Sequence, residues 1–129
     1  MKKEQVITII VVLIIIIGDL SLQKYTKNAI GEIKEELEKL KNNVLYNEVE
    51  SKELAEEVSD IYEKWENKKK VLTYYIEHDE LEKVNTELNK LKAFYEVDMK
   101  KDSMADIYEA IYILDHIHEK QKLSLKNIF

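Results

Sequence analysis

Residues 6–17 read Val-Ile-Thr-Ile-Ile-Val-Val-Leu-Ile-Ile-Ile-Ile, an apolar run interrupted only by Thr8. With residues 18–22 added, the run would form a helix of roughly 25 Å at 1.5 Å per residue, near the lower limit for crossing the hydrocarbon core of a bilayer. Lysines precede and follow the run, and the aliphatic stems of flanking lysines can extend a span. The pattern predicts an uncleaved membrane anchor over residues 1–22.

Two other interpretations of this segment stay open. A cleaved signal peptide requires a small-residue cleavage site after the apolar run, and residues 18–22 (Gly-Asp-Leu-Ser-Leu) match that pattern poorly. A core helix of a soluble protein would carry polar residues on one face, whereas residues 14–17 are all isoleucine. Asp19 fits an anchor if it lies near the membrane interface.

The charges around the run bear on its orientation. Lys2, Lys3 and the N-terminal amine favour a cytoplasmic N-terminus, although the lysines beyond the run nearly balance them. The short tail before the run is typical of a signal-anchor. We therefore expect a single-pass protein of the cytoplasmic membrane, with its N-terminus in the cytoplasm and residues 23–129 outside it.

The composition of the whole chain excludes several classes of protein. Its 129 residues include 2 Gly, no Pro, no Cys and no Arg, with a formal net charge of −6. Gly-rich phosphate loops and thiolate metal sites are therefore excluded. The acidic balance also argues against a nucleic-acid partner, because binding to phosphates needs an excess of basic residues.

Beyond residue 22, apolar residues recur every three or four positions, which is typical of helices packed on one face. The pattern predicts helices over residues 24–46, 48–77, 80–97 and 103–120. Because their connections are short, neighbouring helices should be antiparallel. The sequence therefore predicts an all-α protein in which an N-terminal transmembrane helix is followed by an antiparallel bundle of about four helices. Each predicted helix has one stripe, a row of mainly apolar residues on one face. In chain order the four stripes are Ile30, Ile33, Leu37, Leu40 and Val44; Leu54, Val58, Ile61, Trp65, Leu72 and Tyr75; Leu81, Val84, Leu88, Leu91 and Tyr95; and Met104, Ile107, Ile111, Leu114 and His118.

Three pairs of polar residues have the spacing of a helix-capping box and mark predicted helix starts. They are Asn47 with Glu50, Asp79 with Glu82, and Ser103 with Asp106.

The aromatic residues beside the stripes are expected in the core. They are Trp65, Tyr62, Tyr75, Tyr95 and Tyr108. The other tyrosines could form an exposed patch for a partner, and Tyr25 suits the membrane interface. We interpret the basic run over residues 68–70 as a solvated face, with an anionic-lipid contact as the alternative.

Several stretches together resemble a known family. They are the Lys-Lys start with its Ile-rich anchor, Trp65-x-x-Lys68-x-x-x-Leu72, the Tyr-Ile-Glu-His element over residues 75–78 with Glu80-Leu81 after it, and the Leu-Ser-Leu-Lys-Asn-Ile-Phe ending. The chain resembles the domain-of-unknown-function family 4363, small proteins of Gram-positive, mostly spore-forming bacteria. The resemblance covers essentially the whole chain. It implies a membrane-anchored helical protein and no particular activity.

Histidines are the candidates for chemistry. Asp115 and His118 would share a helix face, but a carboxylate-bridged metal site in a bundle needs a second such pair on another helix. We expect His78 at the end of the second helix, where the helix dipole favours it, or paired with Asp79 or Glu80. No serine or threonine follows a nucleophile motif. We therefore expect no catalytic residue, no metal and no cofactor.

The expected function is that of a non-enzymatic, membrane-anchored interaction or accessory module. Its partners would be the bilayer and either another protein or a second copy of the chain. The apolar tail over residues 123–129 would cover an open end of the bundle or dock into a partner as a short peptide. The alternative is a single-span sensor-type ectodomain that binds a small ligand in the bundle. The residues expected to mediate interaction are Trp65, His78, Leu125, Asn127, Ile128 and Phe129.

Overall fold

The computed structural model describes the backbone of residues 2–128 and the side chains of residues 2–122. The described residues form four α-helices and a short 3₁₀ helix, with no β-strand among them. The helices are α1 (Lys3–Leu45), α2 (Ser51–Leu72), α3 (His78–Glu96) and α4 (Met104–Ile128), and the 3₁₀ helix spans Lys100–Ser103. The predicted all-α fold is confirmed.

Helix α1 is a single helix of 43 residues that joins the predicted anchor to the first predicted bundle helix. We call residues 3–22 its apolar half and residues 23–45 its bundle half. The apolar half is long and apolar enough to cross a membrane, and none of its residues is buried. The bundle half packs through a stripe of buried residues, which are Thr26, Ala29, Ile30, Ile33, Leu37 and Leu40.

The bundle is a ring of four antiparallel helices. Helix α1 packs on α2 and α4, and α3 packs on the same two helices from the opposite side. Nearly all the apolar positions predicted for the first three stripes lie in the shared core. The core residues are Ile30, Ile33, Leu37, Leu40, Leu54, Val58, Ile61, Trp65, Leu72, Leu81, Val84, Leu88, Leu91, Tyr95, Ile107, Ala110, Ile113, Leu114 and Ile117.

The two ends of the bundle are built differently. At the end adjoining the apolar half of α1, which we call the near end, one turn over residues 73–77 joins α2 to α3. Tyr75 in this turn shares a hydrogen bond of 2.9 Å with the Thr26 hydroxyl. At the opposite, far end, the connections at residues 46–50 and 97–99 are tied together. The Ser51 hydroxyl donates to Asp98 at 2.5 Å, and the Lys100 ammonium donates to the Val49 carbonyl at 3.0 Å.

Some predicted helix limits differ from those observed. Helix α2 ends at Leu72 rather than residue 77, and α3 already begins at His78. The N–H groups of Tyr74 and Tyr75 bond to the carbonyls of Val71 and Leu72, three residues back, which tightens the chain into the turn. Helix α4 continues to Ile128 instead of ending near residue 120.

The capping boxes predicted for α2 and α3 do not form. The residues at the N-caps are Glu50 and Glu77, and neither makes a side-chain capping hydrogen bond. The Asn47 side chain donates instead to Asn43, at 2.8 Å. These two helix starts are therefore determined by tertiary packing rather than by local capping.

The basic run over residues 68–70 is only partly a solvated face. Lys68 pairs with Glu32 of α1 at 2.7 Å, and Lys69 pairs with Glu82 of α3 at 2.8 Å. Both lysines are half-buried, whereas Lys70 is exposed. The interpretation as a solvated face is therefore wrong for the first two lysines, which link α2 to its neighbours. The Lys68 ammonium lowers the pKa of the Glu32 carboxyl.

Candidate functional site

A shallow groove runs between the antiparallel helices α3 and α4. Its lining is rich in carboxylates and includes one tyrosine and one histidine. At the end nearer the turn, Glu80 lies 3.8 Å from Lys120; at the other end, Glu87 lies against Asp106. The lining residues are Glu80, Lys83, Thr86 and Glu87 from α3, and Glu109, Tyr112, Ile113 and His116 from α4.

Two carboxylates in this groove are incompletely satisfied. Glu87 is 7% exposed, and its Oε1 accepts a hydrogen bond of 3.3 Å from Lys90. Glu80 is paired through its Oε1 with Lys83, at 3.2 Å. The second oxygen of each carboxylate is buried and has no hydrogen-bond partner among the described residues. An unsatisfied buried acceptor costs free energy, so an N–H donor that entered the groove would be favoured.

The electrostatics of Glu87 follow from this placement. Burial raises the pKa of its carboxyl, and the neighbouring Asp106 carboxyl raises it further. The Lys90 ammonium acts in the opposite direction but does not compensate. The groove therefore binds a proton at Glu87 more readily than an ordinary glutamate would.

An aromatic face lies on α4 beside the groove. Tyr108 is 56% exposed and Tyr112 is 65% exposed, one helical turn apart. The Tyr112 ring stacks on the ring of exposed His116, with centroids 6.4 Å apart. The Lys41 ammonium lies 5.7 Å from the centroid of the Tyr108 ring. We call Tyr108, Tyr112 and His116 the aromatic face.

The prediction that Tyr108 lies in the core is wrong. The core side of α4 is formed by residues spaced three and four apart, namely Ile107, Ala110, Leu114 and Ile117. Tyr108 follows Ile107, so its side chain is rotated by about 100° away from that side. Ala110, Ile113 and Ile117 also lie in the core, although they are not in the predicted stripe. Their spacing of three and four could have identified them.

Trp65 lies in the core and is 0% exposed, so its side chain is not on a surface that a partner could reach. Its indole N–H donates to the Asn85 carbonyl oxygen at 2.6 Å. The Asn85 amide in turn donates to Tyr62 and to Glu66. Asn85 is 6% exposed and follows the core residue Val84, so the spacing of apolar residues does not predict its burial. This cluster of polar groups links α2 to α3.

His78 is the first residue of α3 rather than the end of α2. Its side chain is 68% exposed, and its Nε2 lies 3.4 Å from the Glu82 carboxylate. The partner of His78 is therefore Glu82 rather than the expected Asp79 or Glu80. The expected place of His78 at a helix C-terminus is therefore wrong, because the chain turns before reaching it.

The carboxylate of Asp115 pairs with Lys34 of α1, and His116 stacks on Tyr112. Among the described residues, no group of three or more potential ligands is arranged to hold a metal ion. The side chains of Leu125, Asn127 and Ile128, and the whole of Phe129, lie outside the described part of the chain.

The fold and surface define a class of protein: a four-helix bundle continuous with a long helix whose first half is apolar and exposed. The model of a family described as a domain of unknown function (DUF4363) matches residues 20–128. The chain belongs to this family. The match begins at Leu20, so it covers the bundle and omits most of the apolar half of α1. No curated protein and no solved structure matched the chain.

Proposed function

We propose that this protein is a non-enzymatic, membrane-anchored interaction module. The apolar half of α1 supports the anchor, because its aliphatic side chains are exposed around the whole helix and would be hidden from water in a bilayer. The charges of Lys2 and Lys3 favour a cytoplasmic N-terminus. In this arrangement the protein crosses the cytoplasmic membrane once and holds the bundle outside the cytoplasm.

The aromatic face is the surface on which we place the protein partner. Tyrosines are enriched at protein interfaces because one large ring contributes much apolar contact area and a polar tip. Tyr108 and Tyr112 are both exposed on α4, and Tyr112 also lines the acidic groove. The partner that fits this surface carries an apolar segment with a lysine or arginine, whose cationic head would enter the groove. The juxtaposition of the two exposed tyrosines with this groove is the observation that carries the proposal.

Photo-crosslinking in the native membrane tests this assignment. A benzophenone amino acid at position 112 is expected to form one discrete crosslinked product. The matched control has the same amino acid at position 67, because Asn67 is exposed on α2, diagonally opposite α4. Equal crosslinking at both positions, or none at position 112, would refute the assignment. A product of twice the chain mass of 15.3 kDa would identify the partner as a second copy.

A second candidate function is a sensor that binds a small cationic ligand. The two unsatisfied carboxylate oxygens in the groove favour this function, with Tyr112 and His116 forming one wall. Such a ligand would lie between α3 and α4 at the surface, not at the centre of the bundle. The test uses spermidine as the probe: it should raise the melting temperature of the wild type but not of Glu87→Gln. An equal shift in both proteins would indicate nonspecific screening of charge.

A further inference from the structure

Exposed aromatic and aliphatic side chains are present at the near end of the bundle. Tyr74 is 88% exposed at the tip of the turn between α2 and α3, and Val71 just before the turn is 39% exposed. Tyr25, on α1, is 36% exposed. Because Tyr75 is hydrogen-bonded to Thr26, the turn lies at the same height along α1 as Tyr25. These side chains therefore lie at one level at the base of the bundle.

The height of these side chains follows from helix geometry. The apolar half of α1, residues 3–22, is roughly 30 Å long at 1.5 Å per residue, which equals the typical thickness of the hydrocarbon core. Its charged residues Lys3, Glu4 and Asp19 lie within about 5 Å of its two ends, where side chains can reach the interface. Thr26 lies four residues further on, about 6 Å along the axis. The polar headgroup layer extends about 5–8 Å beyond the hydrocarbon on each side. With the apolar half in the bilayer, the turn lies within the headgroup layer.

Helix α4 returns to the same level. Lys34 of α1 pairs with Asp115 of α4, and the two helices run antiparallel. The backbone of α4 continues to Ile128, so at equal rise per residue its last turn reaches the height of Ser21. Three elements of the chain thus end close to the membrane: the base of the bundle half, the turn between α2 and α3, and the end of α4.

The chemistry of the near end suits a lipid surface. Tyrosine is enriched at membrane interfaces because its ring is apolar and its hydroxyl is polar. Lys24, Lys27 and Lys70 are exposed at the same end of the bundle and would attract anionic headgroups. The acidic residues nearest this region are Asp19, Glu77 and Asp79, and Glu77 lies 3.6 Å from the Lys120 ammonium. The near end therefore adds cations and aromatic rings where the lipid begins.

We infer that the near end of the bundle is a second membrane contact, in which Tyr25 and Tyr74 lie in the lipid headgroup layer. This inference rests on the proposed anchor and goes beyond it. The continuous helix α1 alone fixes the height of the bundle but leaves the bundle free to tilt. A bundle seated on the headgroups stands upright, which presents the aromatic face of α4 sideways and the far end away from the membrane.

The chain has no cysteine, so single cysteines can report depth without a background signal. We choose three exposed positions and introduce Ile14→Cys, Tyr74→Cys and Tyr46→Cys into the full chain. Tyr46 is the matched control, because it is a tyrosine in a connecting segment, 74% exposed, at the far end. Each cysteine receives an environment-sensitive fluorophore, and each protein is reconstituted into vesicles of phosphatidylcholine and phosphatidylglycerol. Retained helicity is checked by circular dichroism.

Nitroxide-labelled lipids then quench each fluorophore according to depth. We expect a headgroup nitroxide to quench the label at position 74 several times more strongly than the label at position 46. A mid-chain nitroxide should quench the label at position 14 most strongly. Equal, weak quenching at positions 74 and 46 would overturn the inference while the anchor stands, provided that position 14 is quenched. Absence of quenching at position 14 would overturn both the anchor and the inference.

Discussion

The two halves of α1 belong to one unbroken helix and differ in almost everything except their backbone. The apolar half exposes isoleucines around its whole circumference, including Ile14 and Ile17 at 63% and 62%. The bundle half buries one stripe, including Ile33 and Leu37 at 0%, and exposes charged residues elsewhere. Continuity of a helix therefore says little about what surrounds it. The periodicity of the apolar residues distinguishes a helix made for a lipid environment from a helix made for a bundle.

The largest expected difference between the two halves of α1 comes from shortening one isoleucine in each half. We expect Ile33→Ala to lower the free energy of unfolding by about 2–5 kcal/mol, because it leaves a cavity in the core. Ile14→Ala should leave the stability of the bundle unchanged. The fluorescence of Trp65, the only tryptophan in the chain, reports unfolding of the bundle in mild detergent. Equal losses from both substitutions would mean that the apolar half also packs on protein.

The next largest effect concerns the buried polar cluster, which has no counterpart in the apolar half. Asn85→Ala would leave the Trp65 indole N–H without its acceptor, at a cost of about 1–3 kcal/mol. The control is Asn89→Ala, an exposed position on the same helix. Chemical denaturation measures the free energy of unfolding of both variants. A stability loss no greater than that of the control would show that Asn85 does not support the core.

A smaller effect comes from titration in the groove. The pKa of Glu87 is raised in the folded protein, so folding favours the protonated form. The resulting stabilisation is complete below the ordinary glutamate value of 4.5 and is lost as the pH rises through the raised pKa. Because glutamine resembles the protonated form, Glu87→Gln should be more stable than wild type at neutral pH, by about 1 kcal/mol.

Thermal melts over a series of pH values test the predicted direction of this pH dependence. The gap between Glu87→Gln and wild type should narrow as the pH falls through the raised pKa of Glu87, and it should be smallest below 4.5. Glu63→Gln, at an exposed position on α2, controls for the loss of a negative charge. A gap that is constant with pH would contradict the account of Glu87.

The smallest expected effect concerns the two glycines, one in each half of α1. A Cβ at Gly18 or at Gly31 would meet no atom within 4 Å, so alanine fits both positions. Gly31→Ala should stabilise the bundle by about 0.5–1 kcal/mol, because alanine loses less backbone entropy in a helix. Gly18→Ala should leave the Trp65-monitored transition unchanged. A destabilised Gly31→Ala would indicate a contact that the structure does not contain.

Much of this architecture follows from the sequence because burial follows helical periodicity. All five residues of the stripe from Leu81 to Tyr95 lie in the core. The helix ends were harder to predict, since they depend on contacts between distant residues. Tyr75 continues the apolar stripe of α2, yet it leaves the helix and bonds to Thr26, 49 residues away. No local pattern encodes that pairing.

The candidate site was predicted less well than the fold for a related reason. Tyr108 lies next to the core residue Ile107, and only the exact rotation of α4 in the bundle decides that its ring is exposed. The groove depends on the register between α3 and α4, which brings Glu87 against Asp106. Single-helix periodicity contains no information about the register between two helices, so the acidic groove could not be predicted from the sequence.

Removal of the apolar segment tests the central claim that the bundle folds on its own and the apolar half contributes only the anchor. A chain that begins with Met and continues with residues 20–129 retains the region matched by the family model. We predict that it is soluble without detergent and that its Trp65-monitored melting temperature equals that of the full chain in detergent. Aggregation, or a clearly lower melting temperature, would contradict the account, because the apolar half would then be part of the folded core.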